Sequence, residues 1–109
     1  MTVSEISGKL SLKSVIVPDG DRVVNGVYIG DLLSWVMGRA KADDAWITIM
    51  SNINIVAVAA LVDTACIILA EDVEVDDDVK AVASEKNVNI LTTDKTAYEI
   101  AVELYELLK

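Results

Sequence analysis

The run Ala65-Cys66-Ile67-Ile68-Leu69-Ala70 has no polar residue at any alternate position, so a strand built from it must be covered on both faces. That requirement points to a parallel sheet between two layers of helices. The neighbouring segments supply them. Val3 to Leu10 reads as a short amphipathic helix with Ser4 as its cap, and Ser14 to Val17 as a strand stopped by Pro18-Asp19-Gly20. Val23 to Ile29 reads as a strand, and Asp31 as the cap of a helix with Leu32, Leu33, Val36 and Met37 on one side, ending near Gly38. Ala45 to Met50 is a predicted strand, followed by a helix over Ile53 to Val62 that is apolar on nearly every face. After the all-apolar strand come a surface helix from Asp77 to Lys86, a strand from Val88 to Leu91, and an amphipathic helix from Lys95 to Leu108, with Ile100, Leu104, Leu107 and Leu108 inward. Strand-helix alternation requires crossover connections, so the predicted fold class is α/β, a three-layer α/β/α sandwich with a largely parallel or mixed sheet.

With 109 residues, half of them apolar, the chain fits a single domain spanning residues 1–109 and buries enough surface to fold without metal or disulfide. Its one cysteine, Cys66, lies within the apolar run and reads as a small core hydrophobe. The N-terminus lacks the basic segment and apolar run of a secretion signal, and no apolar stretch reaches the roughly 20 residues that span a bilayer, so a cytoplasmic location and no membrane partner are expected. A formal charge of −9, with nine scattered basic residues, argues against nucleic acid as a partner, because affinity for a polyphosphate rests on Lys and Arg displacing counterions. The acidic stretch from Glu71 to Asp78 reads as helix capping. It lacks the glycine and terminal glutamate of a calcium loop, and no metal is expected.

Catalytic chemistry has little to draw on. Without histidine, the chain lacks the side chain best suited to proton transfer near neutral pH and any Ser-His or Cys-His nucleophile. It also lacks the glycine-rich loop ending in Lys-Ser or Lys-Thr that cradles phosphates. The expectation is a non-catalytic protein with no cofactor.

Binding chemistry has three places to sit. Asp21 and Arg22 precede a strand framed by Gly26 and Gly30. The pair serves either to brace a turn or to meet a ligand, because glycines at strand ends permit close approach. Thr48, Ser51, Asn52 and Asn54 lie where the third predicted strand meets its helix. Such strand exits form the ligand crevice of open α/β sheets, although capping by Ser51 or Asn52 explains the same residues equally well. Thr92 and Thr93 hold the equivalent position in the last strand-helix unit, where Thr93 or Asp94 is the predicted helix cap. In a parallel sheet both exits open to one edge, so Thr48, Ser51, Asn52, Asn54, Thr92 and Thr93 form the predicted ligand site.

The stretch Asp21-Arg22-Val23-Val24-Asn25-Gly26, continuing through Gly30, Asp31 and Ser34, resembles the signature of the DRTGG domain, with Asp21, Arg22 and Gly26 matching the namesake letters and Val23-Val24-Asn25 departing from them. Ala45-Trp46-Ile47-Thr48-Ile49, Asn54 to Ala59, Ile90 to Thr93 and Ala97-Tyr98-Glu99 also resemble that family. The resemblance implies a fold similar to the N-terminal domain of HPr kinase/phosphorylase, without the kinase domain. It implies a regulatory module whose ligand is an adenine nucleotide or similar small molecule, as in regulated pyrophosphatases. Alternatively it implies a structural protein-protein interaction subunit, for example an accessory to a hydrogenase-type redox complex. A homodimer is expected through Val27, Tyr28, Ile29, Leu32, Trp35 and Val36, because so small and apolar a chain leaves hydrophobic surface uncovered. Trp46, at the start of a buried strand, is expected in the core.

Overall fold

A computed structural model describes all residues from Met1 to Lys109. Ten elements follow in order: α1 (Val3–Lys9), β1 (Lys13–Ile16), β2 (Gly26–Ile29), α2 (Leu33–Arg39), β3 (Asp44–Thr48), α3 (Asn54–Val62), β4 (Cys66–Leu69), α4 (Asp77–Glu85), β5 (Ile90–Thr92) and α5 (Ala97–Leu108). The strands form one sheet in the order β1-β5-β4-β3-β2. β2, β3, β4 and β5 are parallel, and β1 closes the far edge antiparallel to β5. The predicted sandwich with a mixed sheet is the observed fold.

Alternation along the buried strands assigns each helix to a layer. Ala45, Ile47, Cys66, Ile68 and Leu91 face one side, where Val3 and Ile6 of α1 and Ile100 and Leu104 of α5 complete a core. Trp46, Ile67, Leu69 and Ile90 face the other, against Val36 of α2, Ile55, Val56 and Ala59 of α3, and Val79 and Ala83 of α4. Every residue of β3 and β4 is buried, in β4 as its unbroken apolar run requires. Burial pushes the Cys66 thiol up to about 12, so it stays protonated and inert at neutral pH.

Several boundaries differ from expectation, each for a local reason. α1 is capped by Thr2 rather than Ser4. The Thr2 hydroxyl accepts from the Glu5 amide while the Glu5 carboxylate accepts from the Thr2 amide. α5 repeats the device with Thr96 and Glu99, so neither Thr93 nor Asp94 is its cap. β2 starts at Gly26 instead of Val23, because Val23 is held in a single bridge to Thr2. Asp31 does not cap α2, which begins after Leu32 with no side-chain cap. Its carboxylate has been recruited across the sheet edge.

Candidate functional site

The carboxyl ends of the parallel strands form one polar rim. Register aligns Thr48 of β3 with Leu69 of β4, and Leu69 with Thr92 of β5, so the two predicted clusters lie on the same edge about 10 Å apart, two strand spacings. They do not share a cavity. The segment leaving β4 lies between them, with the Ala70 amide donating to the Thr48 carbonyl (3.1 Å), the Glu71 amide to the Lys95 carbonyl (2.8 Å) and the Asp72 amide to the Thr93 carbonyl (2.8 Å). Glu71 and Asp72 turn this corner in the left-handed conformation, at φ 61° and 58°.

Most polar groups of the first cluster are already engaged. The Thr48 hydroxyl donates to Asp31 Oδ1 (2.8 Å), which also accepts from the Ile49 amide (3.1 Å), and Thr48 Oγ1 accepts from the Met50 amide (3.2 Å). Asn52 Oδ1 accepts from the Asn54 amide (2.9 Å), so Asn52 serves the entrance of α3 as a capping side chain does. Ser51 is half-buried and the Asn54 side chain is exposed. In the second cluster, Thr93 Oγ1 accepts from the Lys95 amide (3.2 Å), whereas the Thr92 hydroxyl has no partner in the protein.

The signature residues divide between opposite edges of the sheet. Arg22 lies at the amino ends of the strands and pairs not with exposed Asp21 but with two aspartates that sequence reading passes over. Its Nε and Nη2 donate to Asp43 Oδ1 (3.1 and 2.9 Å), Nη1 donates to Asp63 Oδ1 (2.9 Å), and Nη2 to the Asp63 carbonyl (2.6 Å). Partial burial works against the charge, but the bonds to Asp63 and Asp43 outweigh it, so the guanidinium holds its proton more firmly than in water. Asp43 and Asp63 are both left-handed, at φ 68° and 69°, the first just before β3 and the second ending α3. Short polar residues ending a helix or opening a strand were the only signal of this role. Asn89, also passed over, ties the Pro18–Gly20 turn to the sheet: its Nδ2 donates to the Asp19 and Ala65 carbonyls, and its Oδ1 accepts from the Asp19 amide. Gly26 leaves room for Asp44, whose Oδ1 would stand 2.7 Å from an added Cβ. At the carboxyl edge, the Gly30 carbonyl accepts from the indole of Trp46 (2.9 Å) and Asp31 holds Thr48. Ser34 is exposed on α2.

The expected interface residues are mostly on the surface. Ile29, Leu32 and Trp35 are about half exposed, at 50%, 57% and 52%. Val27 and Tyr28 are half-buried, and Arg39 stacks over the Trp35 ring at 3.7 Å. Val36 does not belong with them. It has no exposure and packs in the core, because the side of α2 that carries it turns toward the sheet. Alongside β2, an apolar groove of about 570 Å³ is walled by Val27, Tyr28 and Ile29 on one side and Leu104, Tyr105 and Leu108 of α5 on the other.

No helix is long and apolar enough to cross a membrane, and no group of three or more Cys, Asp or Glu side chains is arranged to hold a metal ion. No curated protein matches the chain. Among solved structures, a similar one is the CBS and DRTGG domains of the regulatory region of Clostridium perfringens pyrophosphatase, complexed with the activator diadenosine tetraphosphate, at a TM-score of 0.72 and 13% identity. The match covers 93% of this chain but only 44% of that one. The family model of the DRTGG domain matches residues 21–107, and the chain belongs to the DRTGG domain family.

Proposed function

We propose that this DRTGG domain is a non-catalytic regulatory module that works as a homodimer, joined through the free edge of β2 and the apolar surface beside it. The observation that carries this reading is the contrast between the two sheet edges. β1 is blunted as edge strands of monomers usually are, by Lys13 and by an irregularity between Ser14 and Ile16. β2 has neither a lysine, a proline nor a bulge, pairs only with β3, and borders the 570 Å³ groove as well as exposed Ile29, Leu32 and Trp35. A net charge of −9 opposes self-association in general, yet Arg39, Lys41 and Lys109, three of the nine basic residues, line the hollows flanking β2. Antiparallel pairing of two β2 strands sets Asp31 at the end of one against Lys41 near the start of the other, an arrangement a two-fold axis repeats.

The test is mass in solution by light scattering. A dimer is expected for the wild type at micromolar concentration, shifted toward monomer by Ile29→Lys and by Trp35→Ala, since a central aromatic anchor is worth roughly 2 kcal/mol or more. A monomeric wild type at high concentration rules the reading out.

A second reading, binding of an adenine nucleotide as effector, is supported by the similar pyrophosphatase regulatory region, whose structure holds diadenosine tetraphosphate. Thermal shift with that compound and with mononucleotides tests it, because a ligand selective for the native state raises Tm. An unmoved Tm at saturating nucleotide removes it.

A further inference from the structure

We propose a second binding site, for an amino acid or similar small zwitterion, in the cleft between β1, the carboxyl end of β5 and the segment joining β4 to α4. Two adjoining depressions of about 490 and 280 Å³ meet there, sharing Lys13, Asp72 and Thr92 as walls. Together they are large enough for a small metabolite. Neither touches the groove beside β2, so this site stands apart from the dimer surface.

The hydroxyl of Thr92 marks the floor. Thr92 is only 7% exposed, lines both depressions and makes no side-chain hydrogen bond within the protein, so its hydroxyl is open to the cleft and free to meet a ligand. Thr92 pairs with Lys13 across the β1–β5 ladder, so both side chains rise from the same face of the sheet. Lys13 forms no ion pair, and the ammonium of Lys80 on α4 has only a loose contact of 3.6 Å to Asp77 on its own helix. The other charged groups of the lining are anionic, Asp72 and Glu74 in one depression and Asp72 and Asp94 in the other, among serine, threonine and valine side chains. None of these three carboxylates is in a salt bridge.

Two ammonium groups and three carboxylates around one cleft call for a ligand that offers both charges. A carboxylate would lie toward Lys13 and Lys80 with a hydrogen bond from Thr92, and an amine or guanidine toward Asp72, Glu74 and Asp94. A purely anionic ligand would meet the acidic majority, and a purely cationic one would leave both lysines unpaired. The excess of one carboxylate favours a basic zwitterion.

The probe is L-arginine, titrated into 15N-labelled protein and followed by amide chemical shifts, with L-lysine and γ-aminobutyrate as further zwitterions, agmatine as the analogue without a carboxylate, and AMP as the nucleotide arm. Saturable shifts centred on Lys13, Asp72 to Val75 and Thr92 to Asp94 are expected with L-arginine, with agmatine weaker by about tenfold, the equivalent of one charge-assisted hydrogen bond. Thr92→Val preserves shape and should weaken L-arginine by a similar factor. Lys13→Met, at an exposed position that cannot unfold the core, should do the same. The proposal is overturned if none of the zwitterions gives saturable shifts, if the shifts lie elsewhere, if both variants bind as the wild type does, or if AMP binds this cleft more tightly than L-arginine.

Discussion

Arg22 and Asp63, 41 positions apart in sequence, meet through two hydrogen bonds, one from Nη1 to the Asp63 carboxylate and one from Nη2 to its carbonyl. The same guanidinium holds Asp43, so one side chain fixes both the residue ending α3 and the residue preceding β3. Both are left-handed aspartates, a conformation that needs local support. The arginine of the signature therefore braces the amino-terminal edge of the sheet. Arg22→Ala is expected to lower stability by about 2 kcal/mol, a figure held down because Asp63 is largely exposed, and Arg22→Lys by about half of that, since an ammonium cannot reproduce the fork. Urea denaturation measures both. Equal stability of the wild type and the alanine variant would deny the brace.

Substituting two glycines should have opposite effects. An added Cβ at Gly26 would stand 2.7 Å from Asp44 Oδ1, and Asp44 cannot swing away because it is buried and its other oxygen accepts from the Lys41 amide (2.8 Å). Gly26→Ala should destabilise by roughly 1–3 kcal/mol, as overpacking does. Gly38 lies within α2 with nothing near its missing Cβ, so Gly38→Ala should gain up to about 1 kcal/mol from the stiffer unfolded chain and better helix propensity. Thermal melts of the two variants should move in opposite directions from the wild type.

Acid should loosen the last helix through Glu99. The backbone and hydroxyl of Thr96 both bond its carboxylate and hold it below its usual value of 4.5, and Glu5 is held down in the same way by Thr2. A carboxyl group whose value is lowered on folding stabilises the protein above its unfolded value, and that contribution disappears as pH falls through the folded value. Glu99→Gln keeps an acceptor but loses the charge, so it should be less stable than the wild type at pH 7 and match it under acid conditions. Urea midpoints across that range that stay parallel for the two proteins would contradict the linkage.

Layer assignment was legible because it depends on composition along single strands. Unbroken apolar runs such as Cys66 to Leu69 admit only a covered sheet, and alternating strands and helices then leave little freedom of topology. The edge of β1 was not legible as antiparallel, since a short exposed strand before a turn carries no mark of its partner. Caps are ambiguous where two nearby residues both suit the role. Ser4 and Thr2 are chemically alike, and the choice falls to Thr2 because Glu5 stands three positions beyond it and closes the reciprocal bond. Arg22 could not be matched to Asp43 and Asp63 from sequence, because the folded sheet brings together residues that share no local pattern. Thr48 and Thr92 do share an edge, as parallel strands require, but the path of the chain between Ala70 and Asp72 decides that they do not share a cavity.

The two tryptophans offer a separate report on the core and on the β2 surface. Trp46 has no exposure and donates its indole N–H to the Gly30 carbonyl (2.9 Å), linking β3 to the end of β2. Trp46→Phe removes that bond as well as part of the ring's packing, and should lower stability by roughly 2–3 kcal/mol. It also leaves Trp35 as the sole tryptophan, 52% exposed in one copy and stacked under Arg39. At high dilution the emission of this variant should be that of a solvated indole. As concentration rises it should move to shorter wavelength, because pairing of two β2 edges brings Trp35 under apolar cover. Emission that does not change with concentration, while light scattering reports a dimer, would place the dimer contact somewhere other than the surface of β2 and α2.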